Sequence, residues 1–369
     1  MTRRGLPSRA RFPLTSVSKI MSTARTYGFA IVGVGMIAEF HAQALAHVTG
    51  ARLVAVASRN GANARAFAQK HGVPFATTSV AALVARPEVD VVCVTTPSGA
   101  HLEPALEAVR AGKHVVVEKP IEVTIERADE LLSAAENAGV MVAPIFQARF
   151  GQGAMTVKAA IDAGRFGRLV LASAYVKWHR AASYYTGWKG TLALDGGGAL
   201  INQGIHAVDL LQWFAGMPEK VTGFTTRRVH TGIEAEDTMS GSLRFTNGAL
   251  GAIEASTAIF PGSPRRLEIC GEHGAVTLDD DRIVRWEFRE AQEGDEAIRA
   301  SREAGALGSG ASAPNAISIT GHQRQLQDLV NAMNGGTRLA IDGREARKAV
   351  AIVRALYTSA ARGGQPTDV

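Results

Sequence analysis

From Tyr27 to about Pro144 the chain alternates short β-branched apolar runs with longer stretches in which apolar residues recur at helical spacing. The runs Gly28–Val32, Leu53–Ala57, Val89–Thr95, Val115–Val117 and Val140–Ala143 read as strands. The periodic stretches Ile37–Ala46, Ala62–His71, Leu102–Ala111 and Ile125–Ala138 read as helices between them. Val89-Asp90-Val91-Val92-Cys93-Val94 is apolar at almost every position, as a strand covered on both faces must be. The alternation predicts an α/β domain over residues 27–147, built on a doubly wound parallel sheet.

The pattern changes after Phe150. A helix at Ala154–Ala163 is followed by the alternating runs Leu169–Lys177, Lys220–His230, Thr238–Phe245, Ala249–Ala258, Arg265–Cys270, Ala275–Leu278 and Ile283–Phe288. Period-two alternation predicts an α+β domain over residues 148–369 with an open, mostly antiparallel sheet, interrupted by one helix near Gly204–Ala215. The outer face of that sheet is expected to carry many apolar residues, which predicts a homodimer or homotetramer formed through it. Residues 291–316 show no period and read as a loop, and two helices, Gly321–Met333 and Gly343–Ala361, close the chain.

A length of 369 residues suits two domains better than one core. The net charge of +6 suggests a nucleic-acid partner until it is located. Residues 1–26 hold six basic residues and no acidic one, so removing them from the 40 basic residues leaves 34 against 34 acidic. The body is therefore neutral, and nucleic acid is not expected as a partner. The first 26 residues read as a disordered basic leader, because no apolar core follows the arginines and Pro7 and Pro13 interrupt any helix. No run of about 18 apolar residues occurs, so no membrane partner is expected and a cytoplasmic location is. Cys93 and Cys270 lie in apolar runs and read as buried thiols, and no metal site is expected.

The first strand breaks into Gly33-Val34-Gly35-Met36-Ile37-Ala38, a G-x-G-x-x-A turn. Its glycines let backbone approach a pyrophosphate, its small third residue lets helix pack on strand, and the helix N-terminus favours an anion. Gly33, Gly35, Met36 and Ile37 are thus candidate dinucleotide contacts, and this half looks like a Rossmann domain. After the second strand, Ser58-Arg59 stands where an NAD site places an acidic residue for the ribose diol. A hydroxyl and a guanidinium suit a 2′-phosphate, so NADP is favoured and NAD remains open. Thr96, Pro97 and His101, and then Glu118-Lys119-Pro120, follow later strands, at the sheet edge where ligands of this fold bind.

In the second half, Asn202, His206 and Asp209 fall on one helical face after a run of glycines. The segment Lys177-Trp178-His179-Arg180, with Tyr184, Tyr185 and Trp188, gathers rings that stack on sugars and cations that suit carboxylate or phosphate.

With these motifs together, the chain from Tyr27 onward resembles the Gfo/Idh/MocA oxidoreductases. The resemblance rests on the glycine turn, Thr96-Pro97 with His101, Gly112-Lys113-His114 through Glu118-Lys119-Pro120, and Gly197-Gly198 through His206 and Asp209. It implies nicotinamide-dependent oxidation or reduction of a sugar, nucleotide sugar or cyclitol, with Lys119 and His206 at the catalytic positions. Many members carry Asp where this chain has Asn202, so support for His206 is expected from Lys119, Asn202 or Asp209. The run Asp195-Gly196-Gly197-Gly198-Ala199-Leu200-Ile201-Asn202-Gln203-Gly204-Ile205-His206 is similar to the branch containing UDP-N-acetylglucosaminuronate 3-dehydrogenases. Glu118 and Lys119 are candidate cofactor contacts. Lys119, Gln147, Lys177, Trp178, Arg180, Tyr185, Trp188, Asn202 and His206 are candidate substrate contacts. Two alternatives stay open: a dinucleotide-dependent glycosidase of the same fold, and a catalytically silent dinucleotide sensor.

Overall fold

The computed structural model describes residues 25–300 and 318–369. Nearly all of the expected leader and the larger part of the expected 291–316 loop lie outside the described residues.

The first lobe runs β1 (Tyr27–Val32), α1 (Met36–Leu45), β2 (Ala51–Ala57), α2 (Gly61–His71), β3 (Phe75–Thr77), α3 (Val80–Val84), β4 (Val91–Val94), α4 (Leu102–Arg110), β5 (His114–Val117), α5 (Ile125–Ala138) and β6 (Val142–Pro144). Its six strands pair in parallel in the order β3-β2-β1-β4-β5-β6. That is the Rossmann order, and it reverses between β1 and β4, where a crevice opens at the carboxyl ends of the strands. β1 and β4 are buried along their whole length, which explains their unbroken apolar sequence. β3 and α3 are too short to show a period and escaped the reading of the sequence. Local signals fix the helix ends: Asn60 caps α2 by accepting from the Ala62 and Asn63 N–H groups, Thr124 caps α5 through Arg127 N–H, and Gly72 and Gly139 end those helices in the left-handed region.

The second lobe runs α6 (Gln152–Asp162), β7 (Leu169–Lys177), α7 (Ile205–Ala215), β8 (Pro218–Thr226), β9 (Thr238–Phe245), β10 (Leu250–Ser256), β11 (Arg266–Gly271), β12 (Gly274–Asp279), β13 (Arg282–Phe288), α8 (Asp295–Ala300), α9 (Thr320–Met333), α10 (Gly343–Ala361) and β14 (Thr367–Asp368). Its eight strands follow the order β13-β12-β11-β7-β10-β9-β8-β14, antiparallel except for the β7–β10 pair. Ala172, Ala174 and Val176 of β7 turn inward and share a core with Ile205 and Val208 of α7. α8 lies within the stretch that read as a loop, because six residues are too few to show a helical repeat.

The outer face of this sheet corrects a second expectation. Ser173, Tyr175, Lys177, Ser240, Ser242, Arg244 and Glu254 occupy it, and only scattered apolar side chains such as Leu171, Leu250 and Phe224 interrupt them. Period-two alternation locates the two faces but does not say which is wet. The chain finally returns to the first lobe: Leu326, Leu329 and Val330 of α9 pack with Phe29, Ile31 and Leu45. Full burial of a side chain such as Leu329 contributes about 2 kcal/mol.

Candidate active site

The site is assembled at the carboxyl edge of the parallel sheet. Gly33 has φ +94°, and a Cβ there would lie 2.9 Å from the Thr95 carbonyl oxygen, so glycine is required on both counts. Gly35 precedes α1 as an N-cap without side-chain capping, and a Cβ there would meet nothing within 4 Å. A helix start with no side-chain cap and open space beside it suits an anion, and Met36 there stands 51% exposed. The donor set fits the pyrophosphate of a dinucleotide. Ser58 and the exposed Arg59 follow β2, although the Ser58 hydroxyl already accepts from Asn60 N–H at 3.4 Å.

Thr96 and Pro97 follow β4, and Thr96 donates to the Ala100 carbonyl at 2.7 Å. His101 is 1% exposed, with its ring nitrogens 2.9 Å from the Pro120 carbonyl and 3.0 Å from that of Thr96. It braces two ligand-facing turns from below, which corrects its expected role as a direct cofactor contact. Glu118 is likewise turned inward. Its carboxylate lies 2.8 Å from His41 Nε2 and 3.6 Å from His322 Nε2, and accepts from Lys119 N–H. Burial raises the Glu118 carboxyl, but the imidazoles of His322 and His41 overcome this and hold it well below the usual range. His41, Glu118 and His322 have side chains of metal-ligand type within 4.8 Å of one another, a grouping that sequence spacing could not show.

Lys119, on the same turn, reaches across to the second lobe. Its Nζ donates to the Asn202 carbonyl at 2.8 Å. Asn202 lies in a π-helical turn, Leu200–Gly204, that leads into α7, and His206 stands one turn further on. Burial, and then the positive charge of Lys119, hold the His206 imidazole well below its usual value, so it is a neutral base at pH 7. Burial also lowers the Lys119 ammonium, opposed by the charges of Glu118 and Asp195. Phe146 meets the His206 ring edge-on at 5.7 Å between centroids.

The glycine-rich loop before α7 is anchored from the far side. The Glu236 carboxylate accepts from the Gly198 and Leu200 N–H groups, both at 2.9 Å, and from the Tyr357 hydroxyl at 2.8 Å. A carboxylate there also suits the positive end of the helix. Neither Glu236 nor Tyr357 carried a signal in the sequence, since both are remote from the loop they hold.

Trp178 and Arg180 share the inner side of the strand end, with the guanidinium carbon 5.0 Å from the Trp178 ring centroid. Tyr185 donates to or accepts from the Thr257 hydroxyl at 2.6 Å, and Lys189 Nζ stands 3.7 Å from the Tyr184 ring centroid. Trp188 is partly buried in the same loop, and Gln147 follows β6 with its side-chain amide oxygen buried and, among the described residues, without a hydrogen-bond partner. Two candidates are placed elsewhere. Lys177 faces the outer side of the sheet, paired with Glu254 at 2.8 Å, because strand alternation turns it opposite to Trp178. Asp209 is 0% exposed and bound at both oxygens by Arg149, at 2.8 and 2.6 Å, and is not available to support His206.

Comparison with known proteins agrees with this geometry. Residues 27–146 match the family description "Oxidoreductase family, NAD-binding Rossmann fold", and residues 154–277 match "GFO/IDH/MocA C-terminal domain". D-glucoside 3-dehydrogenase of Escherichia coli is 30% identical over 283 residues, covering 70% of this chain and 79% of its own. 1,5-anhydro-D-fructose reductase of Ensifer adhaerens is 29% identical over 248 residues, covering 67% and 74%. The WlbA dehydrogenase of Bordetella pertussis, solved with NADH and UDP-GlcNAcA, superimposes with a TM-score of 0.85 at 32% identity, covering 94% of this chain and 98% of that one. The chain therefore belongs to the Gfo/Idh/MocA family and is an oxidoreductase with an NAD-binding Rossmann domain.

Proposed function

We propose that the protein transfers hydride between a nicotinamide and a ring hydroxyl carbon of a sugar, with a carboxylate-bearing nucleotide sugar as the substrate class and NADP preferred to NAD. The observation that carries the reading is the Lys119 ammonium resting on the Asn202 carbonyl, one helical turn from a buried neutral imidazole. The nicotinamide, when bound, supplies the hydride acceptor or donor. In the oxidative direction His206 takes the hydroxyl proton, and Lys119 donates a hydrogen bond to the same oxygen as negative charge develops on it. Phe146 and the walls of α7 keep water from the imidazole. Lys189 and Arg180, with Trp178, Tyr184 and Tyr185 beside them, offer cations to a carboxylate and ring faces to a pyranose. Relatives whose names include a sugar dehydrogenase and a sugar reductase, and neighbours solved with UDP-GlcNAcA, support this substrate class.

The preference for NADP rests on Ser58 and Arg59 at the end of β2, where an exposed guanidinium suits a 2′-phosphate. Nicotinamide absorbance, followed with NADP and NAD against free sugars, cyclitols, sugar phosphates and nucleotide sugars, tests both parts. Turnover of a uronic nucleotide sugar with a lower KM for NADP is expected. Reduction of neither cofactor by any sugar, or a lower KM for NAD, overturns the corresponding part.

A further inference from the structure

The glycine-rich loop contains one buried carboxylate that the mechanism above does not use. Asp195 is 1% exposed, and both of its oxygens are engaged: Oδ2 accepts from Gly190 N–H at 2.8 Å, and Oδ1 accepts from the Asn202 side-chain amide at 2.5 Å. Asn202 is the residue whose backbone carbonyl holds the Lys119 ammonium. Asp195 therefore holds the side chain, and Lys119 the backbone carbonyl, of one residue inside the π-helical turn, so fixing the first group orients the second.

We propose that Asp195 is a positioning residue for hydride transfer: it supplies the buried negative charge that keeps the Lys119 ammonium charged and seated on Asn202, facing the substrate oxygen. The proposal rests on the reading of Lys119 given above and adds the residue through which that lysine is held.

The surrounding charges make such a group necessary. Lys119 comes from the turn after β5, and Lys189 and Arg180 come from the segment after β7 and lie close enough to act on it, while His206 of α7 feels Lys119 and Arg265. Glu118 also supports the Lys119 charge, but its carboxylate is hydrogen-bonded to His41 and turned toward His322 rather than to the seat of the lysine. Burial pushes the Tyr184 and Tyr185 phenols up to about 12, so neither contributes charge near neutrality. Asp195 is the carboxylate that Lys119 and Lys189 share. Burial raises its carboxyl to about 6, against the hydrogen bonds from Gly190 and Asn202 and the pull of the two lysines, so it is ionised at pH 7. Without it, two or three cations would share a partly buried cleft, and desolvation with like-charge repulsion would drive a proton off one of them.

The experiment uses full-length protein and reads Lys119 directly. Competitive acetylation with acetic anhydride across a pH series, followed by mass spectrometry of the Lys119 peptide, gives the titration midpoint of that amine without need of turnover. In D195N the replacement is isosteric, and the Asn202 amide can turn over to keep one hydrogen bond, so the change removes charge with little change of shape. The Lys119 midpoint is expected to fall by about one pH unit, with unchanged NADH affinity showing that the fold is intact. The double variant D195N/N202D, which returns one carboxylate to the same node, is expected to restore the midpoint to at least the wild-type value. The alkaline limb of kcat/KM should move with the midpoint in each variant. A Lys119 midpoint unmoved in D195N, or one that stays depressed in the double variant, overturns the proposal. If D195N does not stay folded, the double variant alone decides, and a midpoint below wild type in it overturns the proposal. A wild-type protein that turns over no sugar would instead refute the substrate reading, and labelling would still decide whether Asp195 holds Lys119.

Discussion

Asp209→Asn separates a structural carboxylate from a catalytic one. Asp209 is 0% exposed and meets Arg149 through two parallel hydrogen bonds, while Arg149 also contacts Glu345 at 3.0 Å. Burial raises the Asp209 carboxyl and Arg149 opposes this, as expected for a pair whose members are buried together. Removing one partner of a buried ion pair costs about 3–5 kcal/mol, because the remaining charge is left without compensation. Here Glu345 still neutralises part of the Arg149 charge, and Asn can accept one of the two bonds, so the expected loss is about 2–3 kcal/mol. For a chain of this size that corresponds to a Tm lower by about 5 °C. Differential scanning calorimetry measures it, and kcat measured at 25 °C, well below Tm, should fall less than about threefold, since both Asp209 oxygens are committed to Arg149. An unchanged Tm together with a loss of kcat of about a hundredfold would refute the reasoning and return Asp209 to the proton-transfer machinery.

Other outcomes follow from the same geometry. Arg59→Ala should raise KM for NADP about tenfold and leave KM for NAD within about twofold, because one charge-assisted contact to phosphate is lost and none to a ribose diol; equal effects on both cofactors would contradict the NADP reading. Gly33→Ala should weaken NADH binding measured by fluorescence, since it adds strain at φ +94° and a Cβ 2.9 Å from the Thr95 carbonyl; unchanged affinity and Tm would show that the turn can yield. Tyr357→Phe removes the hydroxyl that contacts Glu236 and the Gly198 and Ile201 N–H groups, and should loosen the loop, raising KM for substrate more than it lowers kcat. Acid inactivation has a defined sign: as pH falls through about 6, Asp195 takes up a proton, its grip on the Asn202 amide weakens, the seat of Lys119 loosens and kcat/KM declines; Asp195→Asn should lack this limb and retain the one set by protonation of His206.

The sequence revealed those parts of the site that depend on local geometry. Gly33 and Gly35 announce a turn only glycine can make, and β1 and β4 announce burial on both faces. Lys119 and His206 stand in motifs dense enough to mark a family. Features set by side-chain direction or by distant contacts were not legible. Lys177 sits among aromatic and cationic neighbours in the chain, yet strand alternation sends it to the opposite side of the sheet. Asn202 fits a helical stripe with His206 and Asp209 only if the helix is regular, and the wider π turn at Leu200–Gly204 breaks that register, while Asp209 keeps it but is claimed at both oxygens by Arg149. Arg149, Glu236 and Tyr357 become part of the story only when folding brings distant segments of the chain together.

In the proposed reaction Lys119 and His206, delivered by different lobes, act on one carbinol. Lys119→Met and His206→Asn, each purified and compared with wild type for kcat on the best sugar substrate and for NADH affinity by fluorescence, test it most directly. Loss of kcat by at least about a hundredfold in each, with cofactor affinity preserved within about threefold, is the predicted result. Turnover near the wild-type rate in either variant contradicts the account.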